Sequence, residues 1–299
     1  MLGNAPSVVI WNPSAGTSET PEAVALRREL ELVPDLQIRE PGTWEQSVEV
    51  VADAVQSGCQ LIISAGGDGT VNACVNALMK VDAPVILGVL PLGTGNDLAR
   101  NLGLPLDLQS ASQVLRTGTP HSLDVIHLQT DSCSRWYANM LTGGNTGRYL
   151  EQMTDDVKQQ WGPFCYLRGV VDVVGDLQRY HVEVCCDDGP PQQVDVLNVF
   201  AANGPNTGAG LTVSPHAKLD DGLIDLVIVR DGAPIEIADL TATYLLADFL
   251  EHDLVWFQRA KKIKITASPP LELTADGDSV GATPISLTCQ RSALMVLRP

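Results

Sequence analysis

Several features that would place this chain in a membrane or on a nucleic acid are missing. No apolar run reaches about 18 residues, which is close to the shortest stretch that spans a bilayer as a helix. Basic residues are scarce, with 19 lysines and arginines against 36 acidic residues, and the net charge of −17 argues against a nucleic-acid partner. The N-terminus has no basic segment followed by an apolar run, so we expect no signal peptide and a cytoplasmic protein.

Cysteine motifs are also missing. The seven cysteines are scattered and form no C-x-x-C pair, and their number is odd. This pattern favours reduced thiols over a disulfide framework. The five histidines lack the spacing of zinc ligands, so we expect no zinc site.

The two most familiar nucleotide-binding motifs are absent. The chain contains no G-x-x-x-x-G-K-[ST] segment. Gly93-Thr-Gly-Asn-Asp-Leu98 lacks the third glycine of G-x-G-x-x-G. No suitable acid for a ribose follows this segment after a βαβ unit either, so neither motif is present.

A strand, a glycine-rich turn and a helix follow one another at Leu61–Asn72. Leu61–Ala65 is a short apolar run typical of a buried parallel strand, and Val71–Lys80 has the periodicity of a helix. Between them, closely spaced glycines would let the backbone and the helix N-terminus approach an anion such as phosphate. Asp68 lies inside this turn, and its carboxylate would repel phosphate unless a cation bridged the two. The stretch therefore predicts a nucleotide and a divalent metal.

The secondary-structure signals change in kind along the chain. Residues 1–120 alternate strand and helix signals, which predicts a parallel, Rossmann-like α/β sheet whose ligands bind at the carboxyl ends of the strands. Beyond Asp124 the signals are short strands separated by turns, interrupted by a helical interval near Tyr149–Leu177. We predict an α/β domain over residues 1–124 and a mostly antiparallel β-sandwich domain over 125–289. The cleft between them is a natural ligand site.

Several segments resemble the diacylglycerol kinase catalytic superfamily. The resemblance is carried by Gly66-Gly-Asp-Gly-Thr70, by Pro91-Leu-Gly-Thr-Gly-Asn-Asp-Leu-Ala-Arg100 and by Asn12-Pro-Ser-Ala-Gly16. Later segments agree with it: Ser122-Leu-Asp124, Ala217-Lys-Leu-Asp-Asp-Gly-Leu-Ile-Asp225 and Asp276-Gly-Asp278. Within the superfamily the chain is most similar to soluble bacterial lipid kinases of the diacylglycerol kinase and YegS-like types, which are related to sphingosine kinases.

The resemblance implies a kinase that uses ATP and Mg²⁺ to phosphorylate a lipid hydroxyl. Diacylglycerol is the leading acceptor, and phosphatidylglycerol or a sphingoid base are alternatives. The implied fold is an NAD-kinase-like ATP-binding domain followed by a lipid-binding β-sandwich, with residues 290–299 returning to the first domain. Such an enzyme would touch membranes transiently, and a homodimer is one possible assembly.

The resemblance also carries functional residues over to this sequence. The implied nucleotide contacts are Thr43, Gly66, Gly67, Asp68, Gly69, Thr70, Val71, Asn72 and Thr94. Arg100 would contact phosphate or pair with Asp97. Asp68, Asp97 and Asp124 would hold magnesium-linked water near the phosphates, and three carboxylates around a triphosphate do need a metal to neutralise them.

A second metal site is implied at Lys218–Leu223. Its ligands would be the Asp221 carboxylate and the backbone carbonyls of Lys218 and Leu223, and oxygen ligands from a tight loop suit a hard cation. The alternative is a plain hairpin turn, since Asp-Gly is a hairpin signal.

The candidate general base is Asp276 or Asp278. A lipid hydroxyl is a poor nucleophile, and a carboxylate within hydrogen-bond reach could accept its proton. The family pattern usually ends in Glu where this chain has Asp278, so the sequence leaves open which of the two acts. An Asx-type turn is the structural alternative.

Three further alternatives stay open. An NAD-kinase-like small-molecule kinase would share the glycine turn, and a nucleotide-binding sensor without catalysis would share the whole nucleotide site. The basic segment Arg259–Lys264 is either a solvated strand face or a membrane-facing patch.

Overall fold

The computed structural model describes residues 2–3, 5–81, 83–145, 177–246 and 248–299. Most of the predicted helical interval Tyr149–Leu177 lies outside these ranges. No helix within them combines the length and the apolar character that crossing a bilayer requires.

The first half alternates strands and helices. Its elements are β1 (Ser7–Trp11), α1 (Pro21–Glu31), β2 (Leu36–Arg39), α2 (Trp44–Gln56), β3 (Leu61–Gly66), α3 (Asp68–Leu78), β4 (Ile86–Pro91), α4 (Asp97–Asn101) and α5 (Leu108–Thr117). The strands pair in parallel in the order β2-β1-β3-β4. β1 and β3 are buried along their whole length, as their apolar runs predict.

The second half consists mainly of antiparallel strands. Its elements are β5 (Thr119–Thr130), β6 (Ser134–Tyr137), β7 (Met140–Gly144), β8 (Tyr180–Cys186), β9 (Gln192–Ala202), β10 (Asn206–Thr207), β11 (Leu211–Thr212), β12 (Ile224–Arg230), α6 (Pro234–Leu246), a 3₁₀ turn (Phe249–Glu251), β13 (Val255–Ala260), β14 (Lys262–Ser268), β15 (Glu272–Ala275), β16 (Asp278–Ala282) and β17 (Ile285–Arg298).

These strands form a sandwich with one shared core. β7, β9, β12 and β15 contribute to one layer, β5, β14 and β17 to the other, and β8 pairs with both β9 and β14. Apolar side chains from both groups meet between the layers, among them Ile126, Val199, Ile263 and Leu287. The predicted fold, an α/β domain followed by an antiparallel β-sandwich, is confirmed.

β17 connects the two halves. The sequence predicts two strands here, Ile285–Cys289 and Ala293–Leu297, whereas the structure has one long strand with a register shift between Gln290 and Leu294. Its first part pairs with β14, and its last part pairs in parallel with β4 of the α/β half. The sheet is therefore continuous from the sandwich into the α/β half.

The basic segment Arg259–Lys264 does not form a single surface patch. Lys262 and Lys264 are exposed because they alternate with the buried Ile263 and Ile265 on β14. Arg259 instead turns to carboxylates, with its Nε 2.8 Å from Asp225 Oδ1. The lysines consequently lie on the outer face of the layer that contains β14.

Candidate active site

The two glycine turns lie side by side at the carboxyl ends of β3 and β4. A Cβ on Gly93 would lie closer than 3.0 Å to the Cα of Gly67, so only glycine at position 93 lets the turns touch. The Leu92 N–H donates to the Gly66 carbonyl at 3.0 Å and ties the turns together. Helix α3 begins directly after Gly67 without a side-chain cap, so its first N–H groups face the space above the turns.

A cavity of about 490 Å³ with a mixed polar and apolar lining lies above these turns. It is lined by Ile10, Trp11, Asn12, Ala15, Pro41, Gly42, Thr43, Trp44, Ser47, Gly67, Gly69, Thr70, Ala73, Gly93, Arg135, Asp278 and Ser279. Four of the predicted nucleotide contacts, Thr43, Gly67, Gly69 and Thr70, are among these residues. Thr43 also caps α2 by accepting a hydrogen bond from the Gln46 N–H. We call this space the nucleotide cavity.

Other predicted nucleotide contacts lie around the nucleotide cavity. Thr94 approaches the first loop of the chain, because a Cβ on Gly16 would lie 3.1 Å from the Thr94 Oγ1. Arg100 is exposed, and its Nε donates to the Gly95 carbonyl at 3.0 Å, which braces the second glycine turn. In these positions Thr94 and Arg100 support the glycine turns, and their contact with nucleotide stays a prediction.

Asn72 is engaged elsewhere. Its side-chain amide donates to the Trp136 carbonyl at 3.2 Å and to Asp276 Oδ2 at 3.3 Å, and its Oδ1 accepts from the Trp44 Nε1 at 3.4 Å. Asn72 is 3% exposed. In the structure it joins the α/β half to the sandwich, so its predicted contact with nucleotide has no counterpart in these bonds.

A second cavity of about 440 Å³ adjoins the first and is mainly apolar. It is lined by Asp68, Val71, Asp97, Leu98, Asn139, Met140, Thr142, Asn198, Phe200, Thr207, Gly208, Leu211, Thr212, Val213, Val227, Val229, Leu240, Thr241, Tyr244, Phe249, Thr274, Asp276 and Gly277. We call it the acceptor cavity. Polar groups are concentrated at its end near the glycine turns, and α6 with the 3₁₀ turn covers its apolar end.

The two cavities share two short boundary segments. In the first glycine turn, Gly67 and Gly69 line the nucleotide cavity while Asp68 lines the acceptor cavity. In the turn before β16, Asp276 and Gly277 line the acceptor cavity while Asp278 lines the nucleotide cavity. A group transferred from one ligand to the other would pass between these carboxylates.

Asp68 and Asp97 are adjacent, as predicted. The Asp97 N–H donates to Asp68 Oδ1 at 2.7 Å, and the Ala209 N–H donates to Asp97 Oδ1 at 2.8 Å. Their other oxygens converge on the second glycine turn, at 2.7 Å and 3.9 Å from a Cβ built on Gly95. Burial raises the pKa of Asp68, and the charge of Asp97 raises it further. Two converging carboxylate oxygens that repel one another fit Mg²⁺.

Asp124 does not join this pair. It is 0% exposed, and its carboxylate accepts hydrogen bonds from the Ser292 N–H at 2.6 Å and the Gly222 N–H at 2.5 Å. No three His, Cys, Asp or Glu side chains in the described ranges are grouped closely enough to hold a metal. The carboxylate of Asp124 is used to cap two N–H groups in the junction between β5, β17 and the loop 218–223. Its predicted part in magnesium binding therefore has no geometric counterpart.

An arginine neutralises the negative charge of the loop Lys218–Leu223. Asp221 Oδ1 accepts the Leu223 N–H at 3.1 Å, and its Oδ2 lies 2.5 Å from the Arg259 guanidinium. Arg259 also binds Asp225, which is 2% exposed, and these carboxylates raise the pKa of Arg259. Because both Asp221 oxygens have protein partners, one of them cationic, the residues here do not fit the implied second metal.

Arg259→Gln is expected to lower the free energy of unfolding by about 1–3 kcal/mol, since it leaves the buried Asp225 without its counter-charge. Denaturant unfolding with and without millimolar Mg²⁺ measures this. Any Mg²⁺ bound at Asp68 and Asp97 contributes to both proteins alike, so the expectation concerns the difference between the two gains. Arg259→Gln should gain more stability from Mg²⁺ than wild type does, as a cation replaces the guanidinium. A gain by the variant that is no larger than that of wild type would contradict the expectation.

Asp276 and Asp278 differ sharply in their surroundings. The Asp276 carboxylate accepts from the Ala138, Asn139 and Met140 N–H groups at 2.9–3.1 Å and from Asn72. Burial raises the pKa of Asp276 to about 6, while these donors favour the ionised form. The four donors occupy about all the acceptor sites of a carboxylate. Asp276 is therefore a junction between the two halves of the molecule.

Asp278 is the less constrained of the two carboxylates. It carries no side-chain hydrogen bond within the described part of the chain. Burial raises the pKa of Asp278, and the positive charge of Arg135 acts in the opposite direction. Asp278 therefore presents a carboxylate to the nucleotide cavity that is free to accept a proton.

The loop 203–212 closes the site from the sandwich side. The sequence left its role open. Asn101 of α4 binds the side chain of Asn139 and both the backbone and the side chain of Asn206. Thr207, Gly208, Leu211 and Thr212 line the acceptor cavity. This loop therefore attaches the acceptor cavity to the second glycine turn.

Sequence reasoning missed several residues of the nucleotide cavity. Asn12, whose Nδ2 donates to the Thr70 Oγ1 at 3.2 Å, belongs to a segment that carried the resemblance, so that segment was an available signal. Trp44 follows the predicted contact Thr43 and was equally within reach. Arg135 lies on a short strand of the other half, and nothing in its local sequence points to the cavity.

Two protein-family models match this chain. The diacylglycerol kinase catalytic domain model matches residues 6–128, and the YegS C-terminal NAD kinase β-sandwich-like domain model matches residues 144–298. A probable YegS-like lipid kinase of Stenotrophomonas maltophilia is 28% identical, with 94% of this chain and 92% of the relative covered. A diacylglycerol kinase of Staphylococcus saprophyticus is 27% identical, with coverages of 97% and 94%.

Solved structures show the same fold. A diacylglycerol kinase structure from Bacillus anthracis superposes with a TM-score of 0.76 at 22% identity, covering 99% of this chain and 97% of that one. Yeast NADH kinase superposes with a TM-score of 0.55 at 12% identity, covering 99% and 84%. Since the sandwich-domain model alone matches more than half of the chain, the protein belongs to the diacylglycerol kinase catalytic family of YegS-like lipid kinases.

Proposed function

We propose that the protein transfers the γ-phosphate of ATP, with Mg²⁺, to the hydroxyl of a lipid, with diacylglycerol as the first candidate. The observation that carries this proposal is the pair of adjoining cavities, one with a mixed polar and apolar lining above two glycine turns and one mainly apolar. Acidic residues are concentrated where the cavities meet. That arrangement suits a reaction between an anionic donor and a largely apolar alcohol.

The donor side offers N–H groups and a metal position. The N-terminus of α3 and the glycine turns provide backbone donors and positive potential for phosphate. Asp68 and Asp97 would hold Mg²⁺, which when bound neutralises charge on the phosphoryl group. Their carboxylates also exclude an unmetallated triphosphate by repulsion, so donor and metal are expected to bind together.

The acceptor side offers apolar walls and a polar end. Met140, Phe200, Val227, Leu240 and Phe249 form much of the wall, and burial of an acyl chain against them is favourable by about 25 cal/mol per Å². A chain held there would direct its polar end towards Asp68 and the Asp276–Asp278 turn. Asp278 is our candidate for accepting the hydroxyl proton, and Asp276 positions the turn that carries it.

An NAD-kinase-like reaction is the second candidate. The yeast NADH kinase likeness concerns the fold alone at 12% identity. The lining of the acceptor cavity favours lipid, because a dinucleotide acceptor would bring polar and charged groups against Val227, Leu240 and Phe249 without matching hydrogen bonds. A nucleotide sensor without catalysis is disfavoured by the carboxylates at the boundary of the two cavities.

The proposal is tested by incubating the purified chain with labelled ATP, Mg²⁺ and mixed micelles of diacylglycerol, phosphatidylglycerol or a sphingoid base, and in parallel with NAD. Label in one lipid is the expected result. Phosphorylation of NAD alone would move the assignment to the second candidate. If the chain binds ATP but labels none of the acceptors, a nucleotide sensor without catalysis becomes the assignment.

Thr241→Trp is expected to raise the KM for the lipid at least about tenfold, because the indole would fill part of the acceptor cavity from α6. Affinity for ATP should stay within about twofold, since the nucleotide cavity is untouched. Thr243→Trp is the matched control, because Thr243 lies on the same helix and does not line either cavity. An equal change in both variants would show that the helix, rather than the cavity, was disturbed.

Membrane contact is proposed on the side of α6. The acceptor cavity lies between α6 and the layer containing β7, β9 and β12, whereas Lys262 and Lys264 face outward from the opposite layer. Ile235 at the start of α6 is 77% exposed. A lipid entering the cavity would therefore approach past α6 and not past the lysines.

A further inference from the structure

The nucleotide cavity has a single cation among its described lining residues, Arg135 of β6. The other charged lining residue is Asp278. Arg100 is exposed and is engaged by the Gly95 carbonyl. A triphosphate in this space would thus find one guanidinium on the sandwich side, opposite the backbone donors of the glycine turns.

Trp44 contacts that guanidinium. The Arg135 Cζ lies 4.4 Å from the centroid of a Trp44 ring, a cation–π distance. Trp44 is the first residue of α2, directly after the cap Thr43, and it also lines the nucleotide cavity. Arg135 and Trp44 therefore contact one another within the lining of the nucleotide cavity.

The backbone that carries Arg135 is fastened to the phosphate-binding helix. The Trp136 N–H donates to Asn76 Oδ1 at 3.0 Å, and the Trp136 carbonyl accepts from the side-chain amides of Asn76 at 2.8 Å and Asn72 at 3.2 Å. Asn72 and Asn76 are 3% and 1% exposed and both belong to α3. β6 is therefore held in one register against the helix that begins at the first glycine turn.

We infer that Arg135 is a nucleotide-binding residue that donates hydrogen bonds to phosphate oxygens of the nucleotide. The inference rests on the proposed use of ATP. A guanidinium already held by Trp44 and by the α3–β6 bonds loses little freedom on binding, and charge-assisted N–H···O contacts to phosphate are among the stronger hydrogen bonds. Arg135 thereby brings a residue of the sandwich half to the ligand of the α/β half.

The experiment is calorimetric titration of the full chain with ATP, ADP, AMP and adenosine in the presence of Mg²⁺ and without lipid. Arg135→Gln is expected to lower the affinity for ATP at least about tenfold, as loss of a charge-assisted hydrogen bond would do. Its affinity for adenosine, which has no phosphate, should change by less than about twofold. The affinity of Arg135→Lys for ATP should lie between those of wild type and Arg135→Gln, because lysine keeps the charge and loses the planar fork. Arg28→Gln, an exposed arginine on α1, is the control.

Two results would overturn the inference while leaving the proposed function intact. One is ATP affinity unchanged in Arg135→Gln with wild type binding ATP normally. The other is an equal loss for ATP and adenosine, which would place Arg135 on the base or the ribose. Wild type that binds none of the four nucleotides would overturn the inference and the proposed function together. Equal unfolding midpoints for wild type and Arg135→Gln exclude a folding defect as the cause.

Discussion

Asp278→Asn is expected to lower kcat for lipid phosphorylation by about two to four orders of magnitude, the usual contribution of a general base. The reason is its position, since Asp278 faces the nucleotide cavity at the boundary with the acceptor cavity. Its carboxylate has no hydrogen-bond donor within the described ranges, so it is free to take a proton. The unfolding midpoint and the affinity for ATP should change little, because no described contact depends on it.

Asp278→Glu is the matched control for this prediction. It restores the carboxylate that the family pattern has at this position, one methylene longer, so it should keep substantial activity. Steady-state kinetics on both variants, with ATP binding measured separately, tests whether Asp278 is the general base. If Asp278→Asn keeps its kcat, Asp278 is not the proton acceptor.

The pH dependence of kcat gives an independent check on Asp278. Burial raises its pKa above the ordinary aspartate value, while the charge of Arg135 acts downward. A base must be ionised, so activity should be lost as the pH falls through this raised pKa. In Arg135→Gln the downward influence is gone, and the acid limb should move to higher pH. An acid limb that stays in place in Arg135→Gln would argue against Asp278 as the base.

Asp276→Asn should behave differently from Asp278→Asn. The new amide nitrogen would face an N–H donor from the segment 138–140, which costs about 1–3 kcal/mol of folding free energy. Activity is expected to fall together with the unfolding midpoint. Loss of turnover at unchanged stability would instead make Asp276 the base.

Gly93→Ala is expected to abolish ATP binding at accessible concentrations and to destabilise the fold by about 1–3 kcal/mol or more. The methyl group would lie closer than 3.0 Å to the Cα of Gly67, and also 3.0 Å from Asn96 Oδ1. Backbone atoms cannot yield as a flexible side chain can, so the two turns must separate. The N–H groups that converge on phosphate would then no longer share one site. Calorimetry with ATP and denaturant unfolding measure the two effects.

Gly69→Ala is the control for stability. A Cβ on Gly69 meets no atom within 4 Å, and position 69 lies in the first turn of α3, where alanine is a good helix former. This variant should fold at least as well as wild type. If Gly93→Ala matched Gly69→Ala in stability and wild type in ATP affinity, the contact between the turns would not matter for folding or for binding.

The sequence was most informative where structure is local. The strand, turn and helix at Leu61–Asn72 follow from a short apolar run, clustered glycines and helical periodicity, and the structure has β3, the turn and α3 there. The same reasoning gave the alternation of strands and helices before residue 120 and the antiparallel strands after it. Parallel neighbours then bring both glycine turns to one edge, so the proximity of Asp68 to Asp97 could also be predicted.

The sequence could not show which distant groups meet. Asn72 binds Asp276 across 204 positions of sequence, and this bond helps to decide that Asp276 is a junction while Asp278 faces the cavity. Arg259 was read as part of a basic segment, yet it neutralises Asp221 and Asp225. Side-chain pairing of this kind depends on how strands cross and register, and local composition carries no record of it.

The chain's local patterns thus determined the fold class and the phosphate-type turns, and the resemblance of its motifs to a known family implied the class of enzyme. Apolar periodicity and glycine spacing act over a few residues, so they can be read without a structure. Only the tertiary structure decided which carboxylates lie where the two cavities adjoin, that Asp124 caps two N–H groups instead of joining Asp68, and that Arg135 lines the nucleotide cavity. Those outcomes depend on burial and hydrogen bonding between the two halves, which exist only once β5, β6 and β17 are docked against the α/β sheet.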